Sequence, residues 1–206
     1  MSSDILFDIH VHSDISPCSS LSLERLQDKA QAKGLDGVCI TDHNSMAARQ
    51  WIGDGRQPNG LLIIIGQEYT TRQGDFLLFG PYESLPAGLS AEQLLQHVRS
   101  TGGAAIAAHP FRSDRPVAPE ILRSGLCRLM ERDNGRNTAG ENEMAQAWLR
   151  THPLSSLGGS DAHSLEELGR VRVRFKAPIL CREDLIRALN ESYRQALQTE
   201  RLNGSF

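Results

Sequence analysis

Short apolar runs, separated by turn residues, set the pattern of this chain. Ile5-Leu6-Phe7 is the first, and the alternation of a buried strand carries it through Asp8-Ile9-His10-Val11-His12. Leu23, Leu26 and Ala30 then fall at helical spacing, with Ser22 as N-cap and Gly34 as stop. Gly37 to Thr41 reads as a second strand, Leu61 to Ile65 as the strongest one, and Phe76 to Phe79 as its hairpin partner across a turn at Gly74. A short helix is expected between them, from Met46 to Trp51.

The second half repeats the rhythm. Ala91 to Arg99 is an amphipathic helix ended by Gly102-Gly103, and Ala104 to Ala108 is a strand leading to His109-Pro110. Pro116 to Arg123 reads as helix, Leu126 to Met130 as strand, Glu141 to Arg150 as helix and Leu154 to Leu157 as the approach to Gly158-Gly159-Ser160-Asp161-Ala162-His163. Val171 to Phe175 alternates as a last strand, and Glu183 to Leu197 closes the chain as an amphipathic helix. Strands and helices that alternate in this way predict a mainly parallel α/β architecture, in which function gathers beyond the carboxyl ends of the strands.

Composition narrows this picture. A length of 206 residues and an apolar fraction of 39% suit one domain, spanning residues 1–206, with a sizeable core. The net charge of -3, the absence of a basic run and the 5% aromatic content speak against a broad nucleic-acid surface with base-stacking platforms. No stretch approaches membrane-spanning length. Cys18, Cys39, Cys127 and Cys181 form no CxxC pair, so neither a disulfide framework nor a thiolate zinc site is expected, and the cytoplasm is the default compartment.

The candidate chemistry lies at the strand ends. On a strand His10 and His12 point to the same side, where two neutral imidazoles can hold one metal ion. Asp42-His43, Glu68, His109, Asn134 and Asp161/His163 each follow an expected strand, and five of the seven histidines occupy these positions. His97 and His152 do not. Carboxylates that repel and imidazoles that compete for protons are reconciled when divalent cations sit among them. A multi-metal site is the reading that results.

The chain resembles the PHP family, named for polymerase and histidinol phosphatase. The motifs that carry the resemblance are DIHVH, ITDH (Ile40 to His43), GQE with Glu68, HPFR (His109 to Arg112) and GGSDAH (Gly158 to His163). It implies a distorted (βα)7 barrel, related to the TIM barrel, that hydrolyses phosphoesters with two to three divalent ions: manganese, zinc or iron, with magnesium as a further option. It implies His10, His12, Glu68 and Asp161 as ligands of a first ion, Glu68 as a bridge to a second ion at His109, and His43 with His163 at a third. Asn134 stands where many members place a further histidine, and the Pro17-Cys18 region stands where they complete the third ion.

The expected reaction is attack on a phosphomonoester by hydroxide held at the Glu68-bridged pair. His43 and Asp161 are the candidate catalytic groups, and Asp42 is expected to orient a neighbouring ligand. Arg112, Arg136 and Arg170 lie near the motifs and are candidate phosphate contacts, through the bidentate geometry of guanidinium. The expected partner is a small phosphorylated molecule rather than nucleic acid or membrane. An exonuclease acting on short oligonucleotides, an amidohydrolase-like enzyme and a non-catalytic metal-binding module are the alternatives.

Overall fold

A computed structural model describes residues 4–176 and 178–191. Ten strands form two mixed five-stranded sheets. The first holds β1 (Ile5–Val11), β2 (Gly37–Ile40), β3 (Gly55–Arg56), β4 (Leu62–Ile65) and, from the end of the chain, β10 (Val173–Phe175), in the order β10-β1-β2-β4-β3. The second holds β5 (Gln67–Thr71), β6 (Gly74–Phe79), β7 (Ala104–Ala107), β8 (Leu129–Asn134) and β9 (Ser155–Gly159) in sequence order. The pair β1–β2, the pair β2–β4, and β7 through β9 are parallel, whereas β6 runs against both its neighbours.

The two sheets come together as a distorted barrel. Gly66 alone separates β4 from β5, and its amide still bonds to Ile40 of the first sheet at 2.9 Å. A Cβ there would lie 2.4 Å from the Leu78 carbonyl, so only glycine lets the chain cross so close to β6. On the other side a single parallel bridge joins Val11 to Ala162, just beyond β9, and a second bridge joins His43 to Glu68. Counting β4 and β5 as one stave and leaving out the edge strands β3 and β10, the ring has seven, and its seams are isolated bridges rather than full ladders.

Two layers of apolar side chains fix the walls. Phe7, Ile9, Cys39, Leu62, Ile64, Leu77 and Ile106 fill the interior, closed from below by Leu185 and Leu189 of the helix that begins at residue 182. Val38, Ile40, Ile63, Ile65, Phe76 and Leu78 face outward, against α1 (Leu23–Ala32), α2 (Ala91–Ser100) and α3 (Pro119–Arg123). α4 (Ala139–Leu149) covers β8. The expected helix from Met46 to Trp51 is a single 3-10 turn over Ala47–Gln50. The expected closing helix is seen over residues 182–191, and its remainder to Leu197 lies outside the described residues.

Candidate metal centre

The cleft at the carboxyl ends of the strands is lined by His43, Glu68, His109, Asp161 and His163, with Cys18, Asp114 and three arginines at its mouth. His10 and His12 lie beneath it, fully buried. A register shift between Asp8 and Val11 turns the end of β1, so that the apolar interior set of Phe7 and Ile9 gives way to the two imidazoles. Gly159 makes room for them: a Cβ there would lie 2.5 Å from His10 Cβ and 2.4 Å from Glu131 Oε1.

Glu68 is the centre of the constellation. Its Oε2 lies 2.9 Å from His43 Nδ1, 3.3 Å from His12 Nε2 and 3.5 Å from His10 Nε2, and its Oε1 lies 2.8 Å from His109 Nε2. Asp161 Oδ1 faces the same two nitrogens, 3.3 Å from His12 and 3.5 Å from His10. His163 Nδ1 donates to the Asp161 carbonyl at 2.9 Å, which leaves its Nε2 facing the cleft. The His12 ring lies between those of His43 and His163, each with its centroid 4.3 Å away. Asp161 and His109 hold positive φ angles of 53° and 29°, a conformation unusual for residues with a side chain and typical of functional positions.

Groups outside the cluster orient its imidazoles. Glu131 Oε1 accepts from His10 Nδ1 at 2.8 Å, so His10 presents Nε2 to the centre. Glu131 Oε2 also accepts from the His109 amide and from Asn134 Nδ2, each at 2.8 Å. Asp42, expected to steady a neighbouring ligand, accepts from the Ser16 hydroxyl at 2.6 Å, and that hydroxyl lies 3.5 Å from His12 Nδ1. His10 Nε2 and His12 Nε2 then face one another at 3.1 Å. In the absence of a metal a proton shared between the two nitrogens can hold them together, and with both rings neutral and aimed inward a shared cation takes its place.

Proton affinities register the same conflict. Burial presses His10 toward neutrality, but the charges of Glu131, Asp161 and Glu68 hold its pKa well above the ordinary value. Burial opposes ionisation of Glu68 and Asp161, and the His10 charge overrides it, so both carboxyls sit below the usual range. Burial and the neighbouring His12 charge lower His163 to about 4, which keeps it neutral. Glu68 Oε2, Asp75 Oδ2 and His109 Nδ1 are buried with no hydrogen-bond partner. A centre of imidazole and carboxylate donors with orphaned buried atoms fits divalent metal ions. Three overlapping donor groups have ligand atoms within 4.8 Å of one another: His10, His12 and Glu68; His12, His43 and His163; and Glu68, Asp75 and His109.

Three of the expected site residues are engaged with other side chains. Asn134 gives its amide nitrogen to Glu131, while its oxygen accepts from Arg112 Nη2 at 2.8 Å and the Arg136 amide at 2.9 Å, so the side chain is engaged away from the imidazoles. Arg170 stands outside the cleft, 3.8 Å from Glu167 on the surface. Arg112 lines the cleft but is committed to Asp161 Oδ2 at 2.7 Å, to Asn134, and to Asn137 at 3.0 Å. Arg136 lines the cleft with its side chain 42% exposed. Cys18 is also at the mouth, and burial raises its thiol pKa. Asp75, Arg115, Glu131 and Ser16 join the site without a motif in the sequence that marks them. The available signal was a lone acid in an apolar strand, at Asp75 in GDFLLF and at Glu131 after Leu129-Met130.

A second cavity, of about 200 Å³, lies at the opposite ends of β7 and β8, among Leu95, Arg99, Leu129 and Asn190. No histidine or carboxylate lines it. Fold and site together define a barrel protein with a cleft whose donors fit metal ions.

Residues 8–114 match the PHP domain, and residues 139–192 match the PHP-associated region. The chain belongs to the PHP domain family. It is similar to two uncharacterized proteins of Methanocaldococcus jannaschii. One is 30% identical over 114 residues, covering 50% of this chain and 67% of that protein; the other is 28% identical over 176 residues, covering 82% and 69%. Among solved structures, PsfC of Pseudomonas syringae superposes with a TM-score of 0.74 at 20% identity, covering 95% of this chain and 99% of that one. A Bifidobacterium adolescentis protein assigned as a metal-dependent phosphoesterase follows at 0.66 and 16%, covering 90% and 96%. The lesion-specific endonuclease of Pyrococcus furiosus gives 0.71 and 21%, covering 92% of this chain and 56% of the endonuclease. These likenesses establish the fold.

Proposed function

We propose that this protein is a metal-dependent phosphoesterase that hydrolyses a small phosphomonoester. The observation that carries this reading is the convergence on Glu68, whose two oxygens face four imidazoles within 3.5 Å in a buried site open to a cleft. His10, His12, Glu68 and Asp161 would hold one ion, Glu68 and His109 a second, and His43 with His163, beside His12, a third. When bound, such ions lower the pKa of water and offset the charge of a transferring phosphoryl group.

The chain's own residues do the rest. Arg112 fixes Asp161 through Oδ2 and leaves Oδ1 facing His10 and His12. Arg136 and Arg115 stand at the mouth, where guanidinium suits phosphate oxygens, and the cleft, about 330 Å³ in volume, suits a small phosphorylated molecule. His43, 27% exposed beside Glu68, would either hold the third ion or pass a proton to the leaving oxygen. Four free cysteines, and the absence among the described residues of a helix able to cross a membrane, support the cytoplasm as its compartment.

The test is elemental analysis of the purified protein followed by a substrate panel with manganese, zinc, iron and magnesium. We expect phosphomonoester turnover, with Glu68→Gln losing bound metal and more than about a hundredfold in rate, beyond the cost of disturbing a group behind a ligand. Full metal content and activity in that variant would refute the assignment. Preferred turnover of a short oligonucleotide would move the reading to an exonuclease, and turnover of amides alone would move it to an amidohydrolase.

A further inference from the structure

Asp75 opens β6, the strand that reverses direction, and only 2% of its surface is exposed. In the β5–β6 ladder Thr70 faces Asp75 and Glu68 faces Leu77, which makes Glu68 and Asp75 diagonal neighbours on one face. Glu68 Oε2, Asp75 Oδ2 and His109 Nδ1 all lack hydrogen-bond partners. His109 Nε2 lies 2.8 Å from Glu68 Oε1 and 3.9 Å from Asp75 Oδ2. Arg115 Nε, on a side chain 46% exposed, approaches Asp75 Oδ2 at 3.2 Å from the cleft mouth. Two buried carboxylates beside one imidazole are electrostatically incomplete without a cation between them.

We propose that Asp75 is a metal ligand, completing with Glu68 and His109 an oxygen-rich position that selects a harder ion, of the manganese or magnesium kind, than the imidazole-rich position of His12, His43 and His163. This rests on the reading of the cleft as a metal centre. It supplies the donor that Asn134, engaged by Glu131, Arg112 and the Arg136 amide, does not offer. Selectivity follows from donor type, since carboxylate oxygens suit manganese and magnesium whereas imidazole nitrogens suit zinc. The centre is therefore chemically asymmetric along the cleft.

The test needs no turnover. Metal-stripped wild type, Asp75→Asn and Arg115→Met are titrated separately with manganese and zinc, and bound ions are counted by calorimetry and elemental analysis. We expect Asp75→Asn to weaken the manganese-preferring ion by more than about a hundredfold and to keep zinc at the imidazole-rich position. Arg115→Met should keep every ion. Wild type that binds no divalent ion would overturn the metal centre and this inference with it. Wild type that binds ions while Asp75→Asn keeps them all, or Arg115→Met losing the same ion as Asp75→Asn, would overturn the ligand role alone. If Asp75→Asn does not fold, anomalous scattering from manganese-soaked wild-type crystals decides. A peak about 2.0–2.2 Å from an Asp75 oxygen is expected, and a manganese ion bound only elsewhere overturns the proposal.

Discussion

Glu131 works from behind the imidazoles. Three donors converge on its carboxylate, from His10 Nδ1, the His109 amide and Asn134 Nδ2, each at 2.8 Å. A glutamine has one oxygen to offer them and turns an NH2 toward a donor on its other arm. Glu131→Gln should therefore weaken metal binding by about 10–100-fold, the cost typical of losing the group that orients a ligand imidazole. Titration with manganese and zinc checks this, and unchanged affinity would remove Glu131 from the support of the centre. Glu131 was not readable as a site residue because an acid after an apolar pair says nothing of what it meets across the barrel. Its partner His10 lies 121 positions away in sequence.

At the scale of elements, the start of α4 ties the cleft to the outer layer. Thr138 Oγ1 accepts from the Glu141 amide and Glu141 Oε2 from the Thr138 amide, a reciprocal cap, while Glu141 Oε1 takes the Ser113 amide at 2.8 Å. Ser113 follows Arg112, so the cap also steadies the loop that holds Asp161. These bonds lower the Glu141 pKa from 4.5 to about 2. A carboxyl whose folded pKa is depressed adds stability that is complete above the unfolded value and is lost as pH falls through the folded one. Glu141→Gln should thus lower Tm at neutral pH by about 2–4 °C, the effect of about 1 kcal/mol in a chain of this length. Thermal melts from pH 7 down to about 2 should show the gap to wild type closing below pH 4.5, and a gap that persists would count against the cap. The body of this helix was legible in the sequence, as Glu141 to Arg150, although it starts at Ala139 after the Thr138 cap. The extension of β8 to Asn134, beyond the expected Met130, was not, because pairing with β9 set its length.

The whole molecule depends on a latch at the bottom of the barrel. Arg182, 9% exposed, bonds to Asp54 and donates to the Gly80 carbonyl at 3.0 Å, and Asp54 accepts from the Ile65 amide at 2.6 Å. It joins the helix that begins at residue 182 to both sheets, since Ile65 ends β4 and Gly80 follows β6. Arg182→Met should cost about 2 kcal/mol, less than the ~3–5 of a fully buried pair because Asp54 keeps Arg49 at 3.4 Å. The expected fall in Tm is about 4–8 °C. Metal stoichiometry below the transition should not change, and loss of an ion would mean that the latch also shapes the cleft.

The sequence alone determined most of the strands and the polar residues near their ends, because apolar runs, turn residues and alternation are local properties of the chain. β3 and β5, which contains Glu68, carry no such pattern and were not expected. The sequence also identified His10, His12, Glu68, His109 and Asp161 as a set. Tertiary structure decided which of these meet and through which atoms. The register shift in β1 turns His10 and His12 inward, and the reversed β6 brings Asp75 diagonal to Glu68. The Asn134 amide oxygen is engaged by Arg112, 22 positions away in sequence, whereas Arg170 pairs on the surface with Glu167, three residues before it. Distance and direction across a barrel depend on how its staves join, and here they join through two isolated bridges and one glycine crossing that no local pattern encodes.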